Sequence, residues 1–192
     1  MGIFKRNKSL SGAELFQMMH NDWDVGSPTR KDTMQKVLNL SENVNEPLAY
    51  LARAYALIFL GAVNRPDAIK CFESYVNSAA LNEPYLHDAC LELGKACEAE
   101  YDFNKAEKYY LLMEKAWENH PNFKYFGKQP NVFLGRLYLK MSTQKSLDYW
   151  KSIKSEPEYL NNSEFKNSVD SEFQSVLQKH EKGYVYKPRK KK

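Results

Sequence analysis

An all-α fold is predicted by three observations on this chain of 192 residues. Apolar residues recur at three- and four-residue spacing almost throughout, the period of a single helix face. No stretch of strand length alternates apolar with polar residues. Breaks rich in Gly, Pro, Asn and Ser return at intervals and cut the chain into helix-length pieces. Composition agrees: a 43% hydrophobic share suits a globular core, and eight Gly with eight Pro are few for an all-β protein.

The elements run in order from the N-terminus. Leu15, Phe16, Met19 and Trp23 make the first stripe, and Met34, Val37 and Leu38 the second. Between them Gly26 is expected to end one helix, Ser27 to cap the next and Pro28 to take its first position. This helix pair spans 11–42. The tripeptide Asn-Glu-Pro occurs at 45–47 and again at 82–84, each time ahead of an apolar run. Asn is a good cap, and Pro costs little in a first turn, where its missing N–H has no intrahelical partner. Further breaks near 61–66, 100–104 and 141–144 divide the central part of the chain into helix-turn-helix units at about 48–80, 85–119 and 130–157. Phe165, Val169, Phe173, Val176 and Leu177 predict a last helix over 163–180.

The three units share internal steps. Leu93-Gly94 is followed by Cys97, Ala106, Tyr110 and Met113, and Tyr55-Ala56 by Phe59, Ala68, Phe72 and Tyr75. Leu134-Gly135 is followed by Tyr138, Ser146, Trp150 and Ile153, with a turn one residue shorter. A small residue on the first helix admits a close crossing, a small residue on the second answers it, and large side chains fill the flanks. Close-packed interiors demand that complementarity.

This pattern resembles the tetratricopeptide repeat over about residues 48–157. The resemblance implies a right-handed α-α superhelix of helix-turn-helix repeats, a TPR-like solenoid, closed by a C-terminal capping helix. The repeat-initial Trp is missing, with Ala52, Cys90 and Asn131 near its place, and the units are 38 and 40 residues apart rather than about 34. The pair at 11–42 is either a degenerate further repeat or a lead-in. The expected organisation is a basic segment over 1–10, one helical domain over 11–181 and a basic disordered tail over 182–192. The helix at 163–180 covers the apolar face that stacked repeats leave at their end.

Net charge is +4, but nine positive charges lie within residues 1–8 and 182–192, which leaves 19 basic against 24 acidic residues between them. The basic character therefore belongs to the ends, and such tails usually solvate a terminus. No apolar run approaches the ~18 residues that cross a bilayer, and no secretory signal is visible. Three cysteines without framework spacing point to a reducing, cytoplasmic setting, which also argues against use of the Asn161-Asn162-Ser163 glycosylation triplet.

Chemistry is sparse. The chain has no Gly-rich phosphate loop, no H-E-x-x-H and no G-x-S-x-G. His87, Cys90 and Cys97 share a helix, but the thiols fall on the packing stripe and zinc sites show paired close spacings. Glu98 and Glu100 read as a solvated helix end. His20, His120 and His180 are scattered. No metal, cofactor or catalysis is expected.

What remains is a surface. In the family that the chain resembles, the first helix of each unit lines a concave groove that grips peptides or partner helices. By helical phase the facing residues are Tyr50, Arg53 and Leu57, then Leu91, Lys95 and Glu98, then Phe133 and Arg136. Arg53, Lys95 and Arg136 would form a basic line. Leu57 and Leu91 stand where a clamp for an acidic C-terminal tail needs polar residues, so no such clamp is expected. The segment 120–130 holds Phe123, Tyr125 and Phe126, which either fold back on the helices or contact a partner. The expected function is a non-catalytic scaffold for a protein or peptide partner. The alternative is a nucleic-acid-associated protein gripping phosphate with its basic termini.

Overall fold

A computed structural model of the chain describes residues 10–23, 27–119 and 130–187, and these are all-α. They form ten α-helices: α1 (Gly12–Asn21), α2 (Arg30–Ser41), α3 (Pro47–Leu60), α4 (Arg65–Ser78), α5 (Leu86–Ala99), α6 (Phe103–Asn119), α7 (Pro130–Met141), α8 (Thr143–Ile153), α9 (Pro157–Asn161) and α10 (Ser163–Glu181). A 3-10 turn, Ala62–Asn64, joins α3 to α4. Helices pack on near neighbours in chain order: α1 and α2 on each other and on α3, α3 on α4, α6 on α7, α7 on α8, and α10 on α8 and α9. Contacts gather into two compact units, Met1–Ala96 and Cys97–Lys192, divided inside α5. Residues 1–9 of the basic segment 1–10, the break at Gly26, the segment 120–129 and the last five tail residues lie outside the described residues.

In the first unit α3 is the hub. Its sequence is apolar on nearly every side, as a helix with several neighbours must be. It buries Ala49, Leu51, Ala52, Ala54 and Ala56, and four small side chains among these let α1, α2 and α4 come close. One close approach is at Gly12, where an added Cβ would stand 2.9 Å from the Ala49 backbone nitrogen. The Gly12 N–H donates to Glu46 Oε2 at 2.7 Å, and Ser11 with Glu14 closes a capping box on α1. Leu15, Met19, Met34 and Val37 are buried as the stripes predict, whereas Leu38 is half-buried.

Four expectations at helix starts are corrected. Ser27 does not cap α2, which starts later, behind Thr29. Both hydroxyls turn back to the Asp22 carboxylate instead and hold its pKa below the usual value. Each hydroxyl gives its one proton to the carboxylate in a charge-assisted bond, and no side chain caps α2. Pro28 accordingly precedes the helix. Pro47 does open α3, but Glu46 rather than Asn45 is the flanking residue. Pro84 lies in the turn before α5, clear of its first turn.

In the second unit the small-residue crossing is explicit. Ser146 on α8 donates its buried hydroxyl to the Gly135 carbonyl on α7 at 2.8 Å. The Trp150 indole covers Gly135 so closely that an added Cβ would lie 2.8 Å from Nε1. Leu147, Trp150 and Ile153 form one core cluster with Phe165, Val169 and Val176 of α10, and Phe173 and Leu177 pack against it. The last helix therefore covers α8 with the five residues of its predicted stripe. Asn162 caps it, accepting from the Glu164 and Phe165 N–H groups. The short α9 has no counterpart among the predicted elements. It holds Tyr159, whose hydroxyl donates to Asp170 at 2.9 Å. The tail expected to be disordered from 182 begins ordered: Tyr184 N–H returns to the Lys179 carbonyl, and the Tyr186 ring meets Phe103 edge-on at 5.8 Å.

Candidate partner-binding surface

Arg53 and Leu57 stand one turn apart on α3 and border the same hollow. It is an open depression of about 380 Å³ between α2, α3 and α4, walled also by Leu38, Glu42, Asp67 and Cys71. Arg53 does more than face it. Its guanidinium donates to the Ser41 hydroxyl at 3.2 Å, to the Ser41 carbonyl, and to the Val44 carbonyl at 3.2 Å. It thus closes the C-terminal end of α2, where helix carbonyls lack intrahelical donors and the dipole favours a cation. Tyr50 is half-buried; its hydroxyl reaches Asn45 and its ring lies 5.6 Å from the Arg53 guanidinium.

The α5 residues fare differently. Leu91 is fully buried, so its assignment to a partner-facing surface is corrected. Helical phase places it off the stripe, but α5 buries Leu86, Ala89, Cys90, Leu91, Leu93, Ala96 and Cys97, an arc too wide for one face. Lys95 is exposed and pairs with Glu92 at 2.8 Å. Glu98 is not the solvated residue expected. It accepts the Tyr110 hydroxyl at 2.5 Å and pairs with Lys140, and its side chain is only 14% exposed.

On α7, Phe133 is half-buried with its ring 5.7 Å from that of Tyr110. Arg136 is exposed and bridges to Glu172 on α10 through Nε at 3.0 Å and its terminal nitrogen at 2.5 Å. Each member of the expected basic line therefore has a partner within its own unit. The carboxylates of the hollow, Glu42 and Asp67, escaped sequence reasoning. They come from the residue that follows α2 and from α4, and the phase of α3 alone cannot place a neighbouring helix.

The thiols read as core. Cys90 and Cys97 are buried, and burial pushes the Cys90 thiol up to about 12. Cys71 is half-buried and burial also raises it, against the nearby Arg53 charge. A thiol held protonated is neither nucleophile nor metal ligand. Among the described residues no group of His, Cys, Asp and Glu has the arrangement of a metal site. Cys90→Ser should cost about 1–3 kcal/mol, because a hydroxyl replaces a small apolar group in a dry site. Thermal unfolding measures that loss. Metal analysis should find the same content in both proteins, and stoichiometric zinc in the parent would overturn the core reading.

Among the described residues no helix is long and apolar enough to cross a membrane. Comparisons with protein-family models, with curated proteins and with solved structures found no match to this chain.

Proposed function

We propose that the chain is a non-catalytic scaffold of TPR-like helix pairs, forming a solenoid, that binds a protein or peptide partner. The carrying observation is the hollow between α2, α3 and α4. It sets apolar Leu38 and Leu57 beside Glu42, Asp67 and the rim cation Arg53, a mixed surface suited to an amphipathic segment. The pairwise packing in chain order and the Gly135–Ser146 crossing support the repeat reading. Fold alone does not assign a partner, so the test is direct.

A photocrosslinking residue placed at Leu57 should capture a discrete protein in the native cell, whereas one at Lys151 on exposed α8 surface should not. Capture at both positions alike, or at neither, would sink the assignment. A milder variant makes the same point. Leu57→Asn should weaken the captured partner's binding about tenfold, as loss of an apolar anchor does, while the melting temperature falls only a few degrees. Lys108→Glu with Lys151→Glu is the control for net charge. Lys70 is unsuitable for that control because it pairs with Asp67 of the hollow at 2.9 Å.

The second reading, phosphate binding through the basic ends, rests on the nine terminal charges. Removing 188–192 takes away four of them and spares the Tyr186–Phe103 contact. RNA retention that collapses on this truncation, with a steep salt dependence, would favour it over the scaffold.

A further inference from the structure

A separate hollow of about 300 Å³ opens between the start of α3 and the end of α4. Its polar lining consists of the Glu46 and Glu83 carboxylates, the Ser78 hydroxyl and Tyr75, with Pro47 and Leu48 as apolar wall. Among the described residues no Lys or Arg lines it. Ser78 already donates its proton to the Ser74 and Tyr75 carbonyls at 3.0 and 2.9 Å, so toward the hollow it offers lone pairs only. Glu46 keeps one oxygen on the Gly12 N–H and can accept at the other. Tyr75 is 1% exposed, yet its hydroxyl oxygen has no hydrogen-bond partner among the described residues. Burial raises the Tyr75 phenol above its ordinary value, and the Glu83 carboxylate that lines the same hollow adds to the rise.

A buried hydroxyl left unpaired is costly, and native structures seldom tolerate one without a reason. The surrounding groups are acceptors, and two carry negative charge. The complementary ligand is a compact cation that brings several donors and no acceptor, on a short apolar stem. An ammonium on a methylene chain has that description.

We propose that this hollow binds a primary alkylammonium group, held between Glu46 and Glu83 with the Tyr75 hydroxyl oxygen as a third acceptor and the stem against Pro47 and Leu48. The group arrives either on a lysine side chain of a peptide or on a free amine, and both share this chemistry. The site is distinct from the α2–α3–α4 hollow, so its failure leaves the crosslinking result at Leu57 untouched.

The test is an amide-resolved NMR titration of the full chain with n-butylammonium chloride at constant ionic strength, with n-butanol as the uncharged isostere. Butylammonium should give saturable shifts confined to residues such as Ala13, Leu48 and Ala79, and n-butanol should bind at least about tenfold more weakly. Glu83→Gln, a change at an exposed residue, should weaken butylammonium about tenfold. Tyr75→Phe should weaken it several-fold yet leave the unliganded protein as stable as before or more so, because it removes an orphaned hydroxyl. Acetyl-lysine methylamide binding more tightly than butylammonium would mark a peptide as the source, and equal binding a free amine. Absence of saturable shifts, equal binding of n-butanol, or an unaffected Glu83→Gln would overturn the proposal and leave water as the only occupant.

Discussion

Gly135→Leu is expected to lower the melting temperature by roughly 6–12 °C, the equivalent of about 3 kcal/mol in a chain of this size. Three terms set that figure. Leu gains about 1 kcal/mol of helix propensity over Gly. Against it, the new Cβ alone would enter the Trp150 indole, 2.8 Å from Nε1 and nearer still to two ring carbons. The ring cannot swing clear, since Trp150 is 1% exposed and sits among Leu147, Ile153, Phe165 and Val169. Parting the two helices also breaks the buried Ser146–Gly135 hydrogen bond and strands the hydroxyl, worth about 1–3 kcal/mol. Clash and stranded hydroxyl together exceed the propensity gain. Gly135→Ala should already be destabilising, and Trp150→Leu should recover part of its cost by vacating the space. A double-mutant cycle on these two changes should therefore show coupling of at least about 1 kcal/mol. A Gly135→Leu protein that melts with the parent would refute the close crossing.

That crossing was legible because it is written twice, as a small residue on each helix and a large one beside them. The α10 stripe was legible for a similar reason. Phe165, Val169, Phe173, Val176 and Leu177 repeat over several turns, and the helix has one buried side. Leu91 shows where this reasoning stops. Phase identifies the most apolar face of a helix, but it does not report how many neighbours the helix has. Alternation of small and large residues on α5 looks like one stripe with a flank, and the flank is buried too. Local capping failed where the helix starts later than the sequence break, as α2 does behind Thr29 while Ser27 is tied to Asp22. The short α9 is below the length at which periodicity carries a signal. The candidate hollows are harder still, since each brings together carboxylates far apart in sequence, Glu42 with Asp67 and Glu46 with Glu83.

Arg53→Met is expected to cost about 2–3 kcal/mol, a fall of roughly 5–10 °C, although helical phase assigns the residue to a surface. Met reproduces the apolar stem of the side chain and keeps its packing along α3, so the loss isolates the guanidinium. Without it the Ser41 and Val44 carbonyls lose their charged donor, and the fully buried Ser41 carbonyl keeps only the Val44 N–H at 3.0 Å, with no water to replace the guanidinium. Arg53→Glu should be worse, because a carboxylate only accepts and would face two carbonyls at the negative end of the α2 dipole. Arg53→Lys should fall between, keeping the charge but not the fork that spans Ser41 and Val44. Arg136 supplies the contrast. Its side chain is 62% exposed, its pairing with Glu172 is a surface bridge, and Arg136→Ala should cost no more than about 1 kcal/mol. A combined charge reversal at Arg53, Lys95 and Arg136 would thus lose binding through local unfolding at α2, whatever the partner contacts. The separation is measurable: hydrogen exchange in Arg53→Met should accelerate at the end of α2 and the turn into α3, and remain unchanged in α7 and α8. Unchanged exchange and melting in Arg53→Met would return this arginine to the surface and make it available to a partner.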